Sequence, residues 1–153
     1  MTAKASEVIA KLQGKTLVTA ESLTGGMIGS VLTSVPGASA VYKGGVVSYV
    51  NEVKQQILGV PGEILEQYGA VSMWTAGHMA SGVRKLLNAD VAVSVTGLAG
   101  PGSDEFGHEV GTVFIGFESR QEAIAKQYHF TGSREEIRQQ TVDAALQLIL
   151  DHI

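Results

Sequence analysis

Five short strand-like runs, and what lies between them, limit the folds open to this chain more than any other feature. "TLVTA" at 16–20, "VYKGGVVSYV" at 41–50 and "DVAVSV" at 90–95 are separated by stretches with helical spacing. "TVFIGF" at 112–117 and "AIAKQYHF" at 123–130 are joined only by the polar "ESRQE". Strands alternating with helices predict a layered α/β domain, and the late pair predicts a hairpin, so a sheet of mixed direction is expected. The helices carry their own punctuation. Ala5, Val8, Ile9 and Leu12 lie at helical spacing ahead of Gly14, where a C-cap belongs. "GGMIGSVLTSV" at 25–35 stops at Pro36-Gly37, and "PGEILEQYG" at 61–69 has proline and glycine at its ends. Asn51 stands as the N-cap of "EVKQQILG", and Ser72 opens a longer helix whose Ala76, Met79, Ala80, Val83, Leu86 and Leu87 share one face. Ser133 and Glu136 have the spacing of a capping box before a last helix with Ile137, Ala144, Ala145, Leu148 and Ile149 inward. No linker, repeat or low-complexity tract divides the 153 residues, so one domain is expected.

Composition removes several classes of function. A net charge of −4 argues against a broad phosphate-binding face, so no nucleic-acid partner is expected. With no cysteine there is no disulfide, thiolate metal site or thiol nucleophile, and any nucleophile is an oxygen or an amine. The histidines at 78, 108, 129 and 152 lack metal-ligand spacing, and Asp104, Glu105 and Glu109 do not match a calcium loop. Neither a metal nor a cofactor is expected. A secretory leader and a long apolar run are both missing from the sequence, which makes a cytoplasmic chain without a membrane partner the expectation.

The 19 glycines cluster at 25–29, 44–45 and 97–102 instead of recurring with a period, which predicts close backbone approaches at a few sites. Four candidate sites result. Ser22 follows a strand and precedes "TGG" and a helix; either Ser22 or Thr24 caps that helix, or the Ser22 hydroxyl attacks a substrate beside unpaired helix amides. In "SYVNEVKQQ" at 48–56, an Asn51 cap puts Lys54 at the third helical position. There the helix dipole disfavours a cation and favours a neutral amine able to act as a base, with Tyr49 as a possible relay; a solvated lysine and a packed tyrosine are the plainer alternative. "VTGLAGPGS" at 95–103 either wraps a ligand with its amides or simply connects two strands. Arg134 and Arg138, one helical turn apart, either hold a phosphate or carboxylate or pair with neighbouring acids such as Glu135.

In order along the chain, "TAES", "TGG", "VPGASAVYKGGVVSYVNEVKQQ", "LGV", "YGAVS", "VTGLAGPG" and "VGTVFIGF" resemble the C-terminal domain family of CinA, whose enzymes are nicotinamide-nucleotide amidases of the PncC type. The likeness runs from about Thr16 to the last helix. It implies a single-domain three-layer α/β/α sandwich and hydrolysis of the carboxamide of nicotinamide mononucleotide to nicotinate mononucleotide and ammonia. By the same resemblance Ser22 is the nucleophile and Tyr49 and Lys54 the base system. Thr24, Gly25 and Gly26 line the oxyanion or substrate region, Thr96, Gly97 and Gly100 wall the nucleotide pocket, and Arg134 and Arg138 hold the phosphate. The partner implied is a small pyridine nucleotide, and a homo-oligomer is implied as well. Three positions depart from the family pattern: Leu23 replaces a cysteine, Ser133 an aspartate, and "SDEFGHEVGTV" a loop that ordinarily carries a Lys-Pro pair. The altered 102–109 loop keeps two rival readings open, a paralogue that binds a nucleotide without turning it over and a non-enzymatic interaction module.

Overall fold

The computed structural model describes residues 1–153. Its elements are α1 (Thr2–Lys11), β1 (Leu17–Glu21), α2 (Met27–Thr33), β2 (Tyr42–Val47), α3 (Asn51–Gln56), α4 (Gly62–Tyr68), α5 (Met73–Leu86), β3 (Val91–Gly97), β4 (Thr112–Glu118), β5 (Ala123–His129) and α6 (Arg134–His152). A 3₁₀ turn at Ala38–Ala40 leads into β2. The sheet order is β2-β1-β3-β4-β5, with β1 parallel to both neighbours and the last two pairings antiparallel. This is the mixed sheet of the expected three-layer α/β/α sandwich. None of the helices is long and apolar enough to cross a membrane.

Side-chain size decides how each helical layer approaches the sheet. Along β3, Val91, Val93 and Val95 pack with Leu17, Ile115 and Phe117 against α1, α2 and α6. The alternate residues facing α5 are small. Ala92 joins Val18, Ala20, Met79, Ala80 and Val83, while the Ser94 hydroxyl donates 2.6 Å to the Ala76 carbonyl. Gly116 completes that seat, since a Cβ there would stand 2.6 Å from the same carbonyl oxygen. Small side chains let α5 lie close, and the bulky valines fill the wider opposite layer.

The caps at Ser72 and Ser133 form as the spacing predicts, the second as a full capping box with Glu136. Two local expectations are corrected. Asn51 is the first residue of α3 and not its cap; Val50 holds the cap position with no side-chain bond, so Lys54 is the fourth helical residue. Leu86, the last residue of α5, is exposed although it follows Met79 and Val83 at helical spacing. Strand β2 stops at Val47, so Ser48, Tyr49 and Val50 form a turn at the carboxyl edge of the sheet. The ends of β1 and β3 open at that same edge, on either side of a reversal in strand order, where α/β sheets commonly leave a crevice.

Candidate active site

A cleft of about 710 Å³ lies there, lined by Ser22, Leu23, Tyr49, Lys54, the 96–106 segment and Arg134, among others. Ser22 and Ser48 follow directly on β1 and β2, and Thr96 lies in the last two residues of β3, which is how positions 22, 48 and 96 converge. Ser22 is 7% exposed, and its amide donates to the Val95 carbonyl at 3.1 Å, extending the β1–β3 pairing by one residue and fixing where the hydroxyl emerges.

Lys54 is the most telling residue of the cleft. Only 1% exposed, its Nζ donates to Ser22 Oγ at 3.0 Å and to the Ser48 carbonyl at 2.6 Å. No carboxylate pairs with it. Burial lowers its pKa from 10.5 to about 8, because an ammonium loses more hydration than an amine on leaving water. Of the two readings the sequence left open, the solvated lysine is excluded by burial, and the neutral amine is favoured by desolvation and not by the α3 dipole. A neutral Nζ still donating to Ser48 has its lone pair free for the Ser22 proton.

The other predicted residues fall in two groups. Thr96, Gly97, Gly100, Tyr49 and Arg134 line the cleft with the Ser22–Lys54 pair. The Thr96 hydroxyl is tied to the Ala70 carbonyl at 2.7 Å. Arg134 donates to the Gly100 carbonyl at 2.6 Å and to the Tyr49 hydroxyl at 3.0 Å; its charge meets no carboxylate and stays available to an anion. Tyr49 is 59% exposed, and its hydroxyl bonds to Arg134 and to neither Ser22 nor Lys54. Thr24, Gly25, Gly26 and Arg138 lie outside the cleft wall. Gly25 and Gly26, at φ +59 and +104, supply the left-handed bend that turns the chain into α2. Arg138 bonds the Leu23 carbonyl at 2.9 Å, the Thr24 carbonyl at 3.2 Å and Glu135 at 2.8 Å, so it braces the turn from behind.

Sequence reasoning missed Glu21. It is 2% exposed and accepts from Thr24 Oγ1 at 2.6 Å, Ile28 N–H at 2.8 Å and Gly29 N–H at 3.0 Å. The first amides of α2 are therefore occupied and do not face the cleft. A carboxylate closing an otherwise buried strand was the available signal, since such a group requires donors wherever it is held. The wall formed by 102–109 is organised by Asp104, which accepts from the amides of Phe106 and His108 and meets His108 Nδ1 at 2.6 Å. Phe106 lies over Gly69, whose missing side chain leaves the room.

Comparison with known proteins gives consistent results. The family described as CinA C-terminal domain matches residues 1–153. A competence-damage inducible protein of Halalkalibacterium halodurans is 49% identical over 143 residues, which is 92% of this chain and 33% of that protein. Its counterpart in Bacillus subtilis is 44% identical over 147 residues, 96% of this chain and 35% of that one. The chain spans about a third of the length of these curated relatives. Among solved structures, the competence/damage inducible protein of Agrobacterium tumefaciens is similar with a TM-score of 0.95 at 38% identity, covering 98% of this chain and 93% of that one. A CinA superfamily protein of Escherichia coli is similar with a TM-score of 0.96 at 32% identity, covering 98% and 88%.

Proposed function

The chain belongs to the CinA C-terminal domain family, and from that premise we propose that it is an amidohydrolase. The proposed reaction releases ammonia from nicotinamide mononucleotide through an acyl-enzyme on Ser22. The observation that carries this reading is the 3.0 Å bond between Lys54 Nζ and Ser22 Oγ on a lysine whose pKa burial lowers to about 8. A hydroxyl beside a buried neutral amine is one arrangement by which a general base activates a nucleophile. In the proposed sequence Lys54 takes the Ser22 proton directly, Ser22 Oγ bonds to the carboxamide carbon, and the carbonyl electron pair moves onto oxygen. As the C–N bond breaks, the proton on Lys54 passes to the departing nitrogen; water, activated by the same amine, then releases the acid. The pyridinium charge draws electrons from the amide and lowers the first barrier. Arg134, free of any carboxylate, is the proposed phosphate contact, with Tyr49 and the 96–100 segment forming the walls around the ribose.

The test is an ammonia assay with nicotinamide mononucleotide, paired with detection of nicotinate mononucleotide. Ser22→Ala should lose turnover while keeping its circular dichroism, and turnover unchanged in that variant would refute the scheme. The 102–106 part of the cleft wall, where the loop lacks the family's Lys-Pro pair, favours one second reading, a site that binds a nucleotide without hydrolysing it. Calorimetry separates the two, since binding heat without ammonia supports the second.

A further inference from the structure

Phe106 stands in the stretch where this chain departs from the family pattern, and the fold keeps it out of the core. It is 39% exposed, joins none of the buried apolar clusters and pairs with no other aromatic ring. Its ring is nevertheless held in one place. A Cβ on Gly69 would stand 2.5 Å from Phe106 Cε2 and 2.7 Å from Cδ2, so one edge of the ring rests on bare backbone. From the loop side, Asp104 Oδ1 accepts from the Phe106 N–H at 3.2 Å and the His108 N–H at 3.0 Å, while Oδ2 meets His108 Nδ1 at 2.6 Å. The imidazole in turn lies edge-on to Phe114 of β4, with ring centroids 6.1 Å apart, which ties the loop to the sheet. A phenyl ring fixed on a cleft wall, and paired with no ring of its own chain, is a surface for a flat partner.

The wall that carries Phe106 is joined to the Ser22–Lys54 pair through consecutive bonds. Gly69 precedes Ala70, whose carbonyl accepts from Thr96 Oγ1 at 2.7 Å, and Val95, the residue before Thr96, accepts from the Ser22 N–H at 3.1 Å. Phe106, Gly69, Ala70, Thr96 and Ser22 all line the one cleft. That cleft also carries unpaired charge of both signs. Glu105, next to Phe106, is in no ion pair, and Arg134, bonded to Gly100 and Tyr49, is in none either. A zwitterion with a flat cationic ring and an anionic tail matches this division.

We propose that Phe106 is a specificity-determining residue: its π-face receives the pyridinium ring of the nucleotide, so the cleft selects a charged aromatic ring over an uncharged ring of the same outline. This inference rests on a nicotinamide nucleotide being the ligand of the cleft, and it adds to that reading a choice between the oxidised and the reduced ring. The quadrupole of a phenyl ring attracts a cation, more strongly where water is excluded. An uncharged ring gains only apolar contact, which a leucine side chain supplies as well.

The test is calorimetric titration of the Ser22→Ala protein, in which binding is read without turnover. The two ligands are nicotinamide mononucleotide and its reduced, uncharged form, which share ribose, phosphate and carboxamide. The pyridinium nucleotide should bind the more tightly. Adding Phe106→Leu should weaken it about five- to thirtyfold, while the reduced nucleotide changes by less than about twofold. Phe106→Tyr keeps the π-face and should keep the preference; loss of the preference there overturns the proposal, and decides the matter even if Phe106→Leu fails to fold. Unchanged binding of both nucleotides in a folded Phe106→Leu protein, equal weakening of both, or a parent protein that binds neither also overturns it. Ammonia release is assayed in parallel with Ser22 intact, which separates the two readings. Selective loss of the pyridinium nucleotide in Phe106→Leu, from a protein that yields no ammonia, sustains the inference while the amidase reading falls. Ammonia release by a protein whose Phe106→Leu variant binds both nucleotides as before ends the inference and leaves the amidase reading standing.

Discussion

The pH dependence of turnover is set by how much the cleft disfavours a charged Lys54. Burial moves its pKa from 10.5 to about 8, a cost of about 3 kcal/mol for the ammonium at roughly 1.36 kcal/mol per unit. At pH 7 about one lysine in eleven is then neutral, against about one in three thousand for an unshifted side chain, a gain of about 300-fold in free base. In the proposed mechanism only the neutral form accepts the Ser22 proton. The value of kcat/KM, which follows the free enzyme, should therefore rise about tenfold per pH unit below pH 8 and level off above it. The measurement is initial ammonia release at subsaturating nicotinamide mononucleotide from pH 6 to 10, in buffers of constant ionic strength. Lys54→Arg keeps a cation of similar length that does not deprotonate, so it should lose at least about 10²-fold in rate, and with it the ascending limb. A profile flat between pH 6 and 9, or a limb that survives in Lys54→Arg, would refute Lys54 as the base.

Three further outcomes are expected. The folded pKa of Lys54 lies below its unfolded value of 10.5, so the unfolded chain binds the extra proton between about pH 8 and 10.5. Stability relative to Lys54→Met should rise with pH through that window by about 3 kcal/mol, and a pH-independent difference in urea unfolding would contradict it. Gly82 lies inside α5, where alanine ordinarily gains about 1 kcal/mol, but a Cβ there would overlap the Leu58 carbonyl oxygen; Gly82→Ala should destabilise instead, by about 2 kcal/mol or more in thermal unfolding. Arg134→Ala should raise KM for the phosphorylated substrate about tenfold or more with little change in kcat, and equal loss in both parameters would assign Arg134 to the reaction itself.

Much of this arrangement is legible in the order of residues. The five strands, both serine caps and the order of the helices follow from apolar period and from the placement of glycine, proline and serine, signals that act within a few residues of one another. Asn51 shows the limit of that reasoning. Asparagine is a good cap, but the chain leaving β2 starts α3 one residue earlier because Val50 accepts from the amides of Val53 and Lys54. At the site, residue pattern selected Ser22 and Lys54 as separate candidates, and only the family resemblance joined them as nucleophile and base. The same pattern placed Arg138 with Arg134, whereas α6 turns the two guanidinium groups to different tasks, one into the cleft and one behind the turn at 22–24. Glu21 passed unnoticed because its three donors belong to residues 24, 28 and 29, whose directions depend on the bend at Gly25 and Gly26.

The sequence by itself determined which segments bury a face, the order of strands and helices, the caps at Ser72 and Ser133, and that any nucleophile must be an oxygen or an amine. These are consequences of local period and residue chemistry. Only the tertiary structure decided that residues 32 positions apart share a hydrogen bond, that a backbone carbonyl at Ser48 holds the amine, and that the amine titrates near 8. The physical reason is that desolvation is a property of everything packed around a group. Lys54 acquires its chemistry from β1, β2 and α3 meeting at one edge of the sheet, a juxtaposition no local pattern encodes.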